Sequence, residues 1–257
     1  MNGIELLESV RVIARGMGVV DVSVASADSW ETDVLVSRIV GEGHRPKDIM
    51  PDARSVIVIG VPIQRTIVDT APSIYYNHLY GVVNALLDQV SERIALELNI
   101  LGHRAVYVPR DGYHGIAGLR DIPESFFSHR HAAYLAGMGT FGWNNMVLTE
   151  RYGPRIRFSS VITSAELPSS DPMRRELCVR CGRCTRECPA SAVAGGDYPG
   201  HITLKTLCVE KSAELAQVGR SPCGRCIAVC PVGSDRGPSP TDKAVETIRK
   251  YGKPPKQ

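Results

Sequence analysis

The chain has 257 residues, 43% of them hydrophobic, and a formal net charge of +3. This length and hydrophobic content suit one or two folded domains and argue against a disordered chain. The charge is mild and its 30 Lys and Arg residues are spread along the chain, so it indicates neither a nucleic acid nor an anionic surface as a partner.

The first two thirds of the chain alternate helical and extended patterns, which predicts an α/β or α+β body. The first helical pattern is interrupted by charged residues, unlike a signal peptide, and no apolar run approaches the roughly 18 residues of a membrane span. Helices are predicted over Ile4–Met17, Tyr75–Leu101 and the stretch "HRHAAYLAGMG". Strands are predicted at Val19–Val24, Ser55–Val61, Ala105–Val108, Met146–Thr149 and Arg157–Thr163.

The composition changes at about Pro168, where Cys, Gly, Arg and Pro become frequent and the main helical pattern is Thr203–Val218. Such a segment is typical of a small module that is held by metal rather than by a large apolar core. We therefore expect a cofactor- and substrate-binding α/β domain over 1–167, a cysteine-rich module over 168–240, and a C-terminal helix and tail over 241–257.

All eight cysteines belong to two related halves of that module, each ending in Cys-Pro. The first half, "CVRCGRCTRECP", has the spacing C-x2-C-x2-C-x3-C-P. In such runs three thiolates bind one iron–sulfur cluster and the fourth binds the other. The spacing thus predicts two [4Fe–4S] clusters with crossed ligands. The first thiol set is Cys178, Cys181, Cys184 and Cys230; the second thiol set is Cys188, Cys208, Cys223 and Cys226.

Two other interpretations of the cysteines are less favoured. Disulfides are rare in the reducing cytoplasm, where we expect this chain because it shows no secretory signal. A pair of four-cysteine zinc sites would use two C-x2-C pairs each, whereas the spacing here is three plus one.

A glycine turn, "GMGTFG", lies at Gly137–Gly142 and matches G-x-G-x-x-G. A dinucleotide-binding turn needs a strand before the glycines and a helix after them. Here a helical pattern precedes the turn and an extended pattern follows it. We therefore predict a close backbone approach to some other cofactor.

The stretch "HAAYLAGMGTFGWNNMVLTERYGPRIRFSSVITSAEL", with the cysteine module behind it and "RPKDIMPDARSVIVIGVPI" upstream, resembles epoxyqueuosine reductases and reductive dehalogenases. The resemblance implies a nitroreductase-like domain followed by a ferredoxin-like module with two [4Fe–4S] clusters, and a cobalamin whose corrin lies over the glycine turn. The cofactor-binding residues that it implies are Gly137, Gly139, Thr140, Phe141, Gly142 and Asn144.

The chain also departs from epoxyqueuosine reductases. Thr140 and Trp143 stand where those enzymes usually have Trp and Lys, and the C-terminal extension associated with tRNA is expected to be missing. The acidic candidates near the expected position of the catalytic Asp are Asp121 and Glu124, in "RDIPES".

Several other side chains have both a catalytic and a structural interpretation. Asp121, Glu124 and His131 are the predicted catalytic residues, as proton donors; His114 and His129 flank the same turn. The structural alternative is a solvated turn for the acids and surface or core positions for the histidines. Three tyrosines either line a substrate opening or pack in the core: Tyr75, Tyr76 and Tyr80. Four arginines between the cysteines either raise the cluster potentials and receive an acidic electron donor or form a solvated face: Arg180, Arg183, Arg186 and Arg225.

The sequence therefore predicts a cytoplasmic oxidoreductase that passes electrons from a ferredoxin- or flavodoxin-type donor through two clusters to cobalamin, reducing a small or nucleoside-type substrate. One alternative is an electron-transfer or reductive-activation protein for a corrinoid protein. The other is an iron–sulfur reductase with FMN in the pocket. A tRNA partner has weak support, and no membrane partner is expected.

Overall fold

The computed structural model describes residues 1–109, 118, 120–122, 125–235 and 250. The helices with defined bounds are α1 (Gly3–Gly16), α2 (Ser29–Thr32), α3 (Val36–Ile39), α4 (Pro46–Ile49), α5 (Arg65–Val68), α6 (Ile74–Ile100), α7 (His129–Leu135), α8 (Arg183–Arg186), α9 (Lys205–Ala216) and α10 (Arg225–Ala228). The strands are β1 (Asp21–Ser26), β2 (Ser55–Pro62), β3 (Ala105–Val108), β4 (Thr140–Phe141), β5 (Val147–Leu148) and β6 (Ile156–Thr163).

The main sheet has the strand order β1-β2-β6-β3, and each neighbouring pair is antiparallel. The body is therefore α+β, one of the two classes that the sequence predicts. Strand β2 is buried on both faces because its residues are almost continuously apolar: Val56 and Val58 pack into one core, and Ile57 and Ile59 into the other.

The two long helices that cover one face begin at capping residues. The Asn2 side chain accepts hydrogen bonds from the backbone of Ile4 and Glu5 at the start of α1, and Ser73 accepts one from Tyr76 at the start of α6. Helices α1 and α6 bury apolar side chains such as Leu7 and Leu87 at helical spacing against the sheet. The opposite face is covered by α2, α3 and α7.

The predicted elements are confirmed with small shifts. Strand β1 lies two residues later than expected, and the extended pattern at Met146–Thr149 forms only the short strand β5, with Thr149 in an isolated bridge to Gly153. Strand β5 pairs with β4, and together they make a small hairpin directly after α7.

The cysteine-rich segment buries few apolar side chains. Helices α8 and α9 contain no buried residue, and Ala192, Val193 and Ile227 are the buried hydrophobic residues of the described part of this segment. Ile227 joins the segment to the body through a core with Ile63, Val68, Ala71 and Tyr76. None of the helices in the described ranges has the length and apolar character that crossing a membrane requires.

Candidate functional site

Two loops of the same sequence pattern, C-G-R-C, carry half of the thiols. Gly182 and Gly224 lie at their centres with φ of 68° and 66°, a left-handed conformation that favours glycine. Each glycine precedes a four-residue helix, α8 or α10. The two halves of the module therefore have the same local geometry, as their sequences indicate.

The thiols of the first set are close neighbours. Burial raises the pKa of Cys230, the nearby thiols of Cys178 and Cys184 contribute to the increase, and the resulting value is about 11. Burial also raises the pKa of Cys184, with further increases from Cys178 and Cys181. The four residues of the set line one cleft, together with Trp143 and Asn144.

The second set is grouped in the same way. Burial, and then the neighbouring thiols of Cys208, Cys223 and Cys188, raise the pKa of Cys226 to about 12, with a smaller effect from Cys184 of the first set. The two sets therefore lie side by side, and each combines thiols from both halves of the module. Among the described residues, no group of three or more His, Cys, Asp or Glu side chains forms a site for a single metal ion.

A larger cavity of about 660 Å³ lies beside the first thiol set. Three aromatic residues line it, Tyr134, Phe141 and Tyr198, and the ring of Phe141 stacks on that of Tyr198 with centroids 4.2 Å apart. Its charged lining includes Arg174, Arg180, Asp171, Glu176 and Asp197. The cavity therefore combines flat apolar surface with charges of both signs.

Arg180 lines both the cleft and the larger cavity. Its guanidinium donates to the Asp197 carboxylate at 3.0 and 2.9 Å, and the same carboxylate accepts a hydrogen bond of 2.9 Å from Nε1 of Trp143. The two donors lower the pKa of Asp197. Arg180 has a φ of 50°, which is unusual for a residue with a side chain. These three residues form a hydrogen-bonded group that connects the two spaces, since Trp143 lines the cleft, Asp197 lines the cavity and Arg180 lines both.

The glycine turn is confirmed as unlike a dinucleotide site, because α7 precedes it, β4 lies within it, and the strand β5 rather than a helix follows it. Its glycines are needed for contacts within the protein. A Cβ on Gly139 would lie 2.0 Å from the Leu148 carbonyl oxygen, and one on Gly137 would lie 2.5 Å from that of Asp171. A Cβ on Gly142 would lie 2.8 Å from the Leu148 side chain.

The other predicted cofactor-binding residues divide between the two spaces. Thr140 and Phe141 line the larger cavity, whereas Asn144 lines the cleft of the first thiol set. The Asn144 amide donates to the carbonyl oxygen of Cys226 at 3.2 Å. The glycine turn and the residues directly after it therefore line both spaces through different side chains.

The predicted catalytic residues are not brought together. Asp121 is exposed and does not line either cavity, and Glu124 and His114 lie outside the described residues. His131 is buried, and its Nε2 lies 2.9 Å from the hydroxyl of Tyr198. Burial, then the charges of Arg130 and Lys205, lower the pKa of His131 to about 4. At neutral pH His131 is therefore an uncharged hydrogen-bond partner of Tyr198.

The tyrosines and arginines singled out in the sequence have mixed positions. Tyr76 is fully buried against Gly224, and Tyr75 is exposed. The Arg157 guanidinium lies over the ring of Tyr80, with 3.9 Å between the guanidinium carbon and the ring centroid. Arg225 pairs with Glu187, and Arg183 and Arg186 are exposed. Tyr198, which reaches the cavity from between the two cysteine halves, has no motif in the sequence that marks it.

Comparisons with known proteins relate the chain to two groups of reductases, although no family model matches it. It is 28% identical over 204 residues to a tetrachloroethene reductive dehalogenase of Desulfitobacterium hafniense, covering 73% of this chain and 33% of that protein. It is 22% identical over 217 residues to an epoxyqueuosine reductase of Pseudomonas aeruginosa, covering 74% of this chain and 56% of that protein.

The chain is homologous to reductive dehalogenases and epoxyqueuosine reductases. Solved structures of both groups share its fold. A reductive dehalogenase whose structure suggests a B12-dependent mechanism matches 99% of this chain and 35% of its own, with a TM-score of 0.69 and 18% identity. An epoxyqueuosine reductase with a tRNA-Tyr stem loop matches 97% of this chain and 71% of its own, with a TM-score of 0.59 and 18% identity.

The resemblance that the sequence indicates is therefore confirmed at the level of homology and fold. The chain spans about a third of the length of the dehalogenases that it matches. What those longer proteins bind and reduce consequently bears on this chain only as a proposal.

Proposed function

We propose that this chain is a reductase that holds two [4Fe–4S] clusters in its thiol sets and cobalamin in the larger cavity. The main support for this proposal is that the two spaces adjoin, because Arg180 lines both the cleft of the first thiol set and the larger cavity. A cluster in the first set would then lie next to a group in the cavity, as one-electron transfer between them requires.

The thiols fit iron–sulfur clusters by their number and by their chemistry. Thiolates are the form that binds iron, and in this chain burial raises the pKa of five of the eight cysteines. The protonated form of these thiols is therefore favoured at neutral pH until a positive metal group compensates the charge of the thiolates. The 3 + 1 spacing of the ligands supports clusters over zinc.

The larger cavity suits a planar cofactor. Its volume of about 660 Å³ falls within the roughly 300–1,000 Å³ that is typical of ligand pockets. The stacked rings of Phe141 and Tyr198 offer a flat apolar wall, and the uncharged His131 is positioned to orient the Tyr198 hydroxyl. A bound cobalamin supplies redox chemistry at cobalt. The nitroreductase-like and ferredoxin-like arrangement of the two domains is part of the same proposal.

The substrate and partners are inferred from the chain's relatives. We propose a small organic or nucleoside-type substrate, because the homologues are named for tetrachloroethene and for epoxyqueuosine. An electron donor of the ferredoxin or flavodoxin type would supply the clusters in the cytoplasm. A tRNA substrate is supported only by the epoxyqueuosine reductase that is bound to a tRNA stem loop.

The test begins with protein purified without air. We expect about eight iron and eight acid-labile sulfide per chain, from two clusters of four each. The same sample is then incubated with hydroxocobalamin or with FMN and passed through gel filtration, and the retained cofactor is read from its absorption spectrum. Cobalamin should be retained at about one per chain.

A matched pair of variants locates the binding site. Phe141 and Phe158 are equally buried, each 8% exposed, but only Phe141 lines the cavity. Phe141→Leu should weaken cobalamin retention at least tenfold without loss of iron, and Phe158→Leu should leave retention unchanged. Retention of FMN alone would favour the flavin alternative. Retention of neither by an iron-loaded protein would favour electron transfer to a separate corrinoid protein, and zinc without sulfide would contradict the cluster assignment.

A further inference from the structure

A buried arginine connects the body to the last cysteine of the chain. Arg155 immediately precedes β6 and is 3% exposed. Its guanidinium donates to the carbonyl oxygens of Cys230 at 3.2 Å and Val232 at 2.9 Å. The arginine thus holds the segment that carries Cys230 against the sheet.

The charge of Arg155 is balanced by Asp235, another residue of that segment. The carboxylate accepts from Nε at 3.1 Å and from Nη2, so the pair is a two-pronged contact, and both side chains are largely buried. Charge-assisted contacts of this geometry fix position and orientation together. Removing either partner would leave one uncompensated charge beside Cys230.

The backbone around the pair is adapted to it. A Cβ on Gly233 would lie 2.5 Å from Nη2 of Arg155, and a Cβ on Gly153 would lie 2.0 Å from the Val232 carbonyl oxygen. Both glycines have a positive φ, so both the space and the backbone conformation favour glycine. The segment that carries Cys230 can therefore approach the body closely enough for Arg155 to reach it.

Cys230 is the one member of the first thiol set that comes from the second half of the module. We infer that Arg155 and Asp235 form a positioning pair that holds this crossing ligand and sets the reduction potential of the first cluster. The inference rests on the proposed function, because it requires a cluster in the first set. Potentials of such clusters depend on nearby charge and hydrogen bonding.

The two members of the pair should have opposite electrostatic effects. Asp235→Asn removes a negative charge and leaves the guanidinium uncompensated, so reduction of the first cluster becomes easier and its potential shifts upward. Arg155→Met removes the positive charge and shifts the potential downward. Arg155→Lys loses the two-pronged contact but keeps the positive charge. Because the charge is kept, the potential of the first cluster should stay near that of the parent.

The measurement is a redox titration of the anaerobically purified full chain, followed by electron paramagnetic resonance, with iron and sulfide counted in each sample. Arg151→Met is the control, since Arg151 is an exposed neighbour that lies over Tyr152. The second cluster should keep its potential in every variant. Shifts in the same direction for Arg155→Met and Asp235→Asn, or no shift in loaded protein, would overturn the inference. Loss of the first cluster in both variants would also overturn the electrostatic role and leave only a structural clamp. A parent protein without iron and sulfide would instead refute the proposed function.

Discussion

The two C-G-R-C loops allow one substitution to be compared with its matched control. Gly182 and Gly224 have nearly the same φ, so alanine at either position meets the same backbone strain. The space around them differs. The nearest atom to a Cβ on Gly182 would be the flexible end of Arg186 at 3.0 Å, whereas a Cβ on Gly224 would lie 2.2 Å from the ring of Tyr76, which is 1% exposed.

The expected cost follows from these contacts. A left-handed conformation costs a residue with a side chain roughly 1–2 kcal/mol, so Gly182→Ala should reduce the free energy of unfolding by about that amount. Gly224→Ala adds an overlap with a buried ring, and overpacking of this kind costs roughly 1–3 kcal/mol more. For a chain of this size each kcal/mol lowers the melting temperature by roughly 2–4 °C. Gly224→Ala should therefore melt roughly 2–12 °C below Gly182→Ala.

The assay is thermal unfolding by circular dichroism, at one scan rate, for both variants and the parent. Both alanines are then placed in a Tyr76→Ala background, where the extra loss caused by Gly224→Ala should disappear because the ring is gone. Equal melting temperatures for the two single variants would refute the reasoning. An extra loss that survives without the Tyr76 ring would refute it as well.

Two further predictions concern the thiols and the buried histidine. Cys188→Ala should remove the electron paramagnetic resonance signal of the second cluster and leave that of the first, whereas loss of the first signal alone would show that each half binds its own iron. The pKa of His131 is lowered to about 4, so the unfolded chain binds more protons than the folded chain between that value and about 6.5. Stability should therefore fall, by up to about 3 kcal/mol, as the pH decreases through this window. The loss is measured by urea unfolding at pH 7.5 and pH 5. It should be smaller in His131→Gln than in the parent or in the control His78→Gln, since His78 is exposed. An unchanged loss in His131→Gln would contradict the lowered pKa of His131.

The catalytic candidates mark where inference from sequence was weakest. Asp121 and Glu124 are near the glycine turn in sequence, but Asp121 is exposed and lines neither cavity. His131 was singled out because imidazole titrates near neutral pH, and its burial lowers that pKa. Proximity in sequence does not report burial, which depends on side chains contributed by distant segments.

The sequence alone determined the features that depend on local spacing. The spacing within the two cysteine runs, the helix before the glycine turn, the buried strand β2 and the left-handed glycines of the C-G-R-C loops all arise from residues a few positions apart. Local backbone geometry and hydrophobic period are enough to specify them.

Only the tertiary structure decided which distant groups meet. It brings Arg155 to Cys230 and Tyr198 to His131, pairs separated by 75 and 67 residues, and it places Arg180 between the first thiol set and the larger cavity. It also shows that Gly139 is required by the Leu148 carbonyl. These contacts depend on how the sheet, the hairpin and the cysteine loops pack together, because no local pattern records which distant side chain or carbonyl will occupy the neighbouring space.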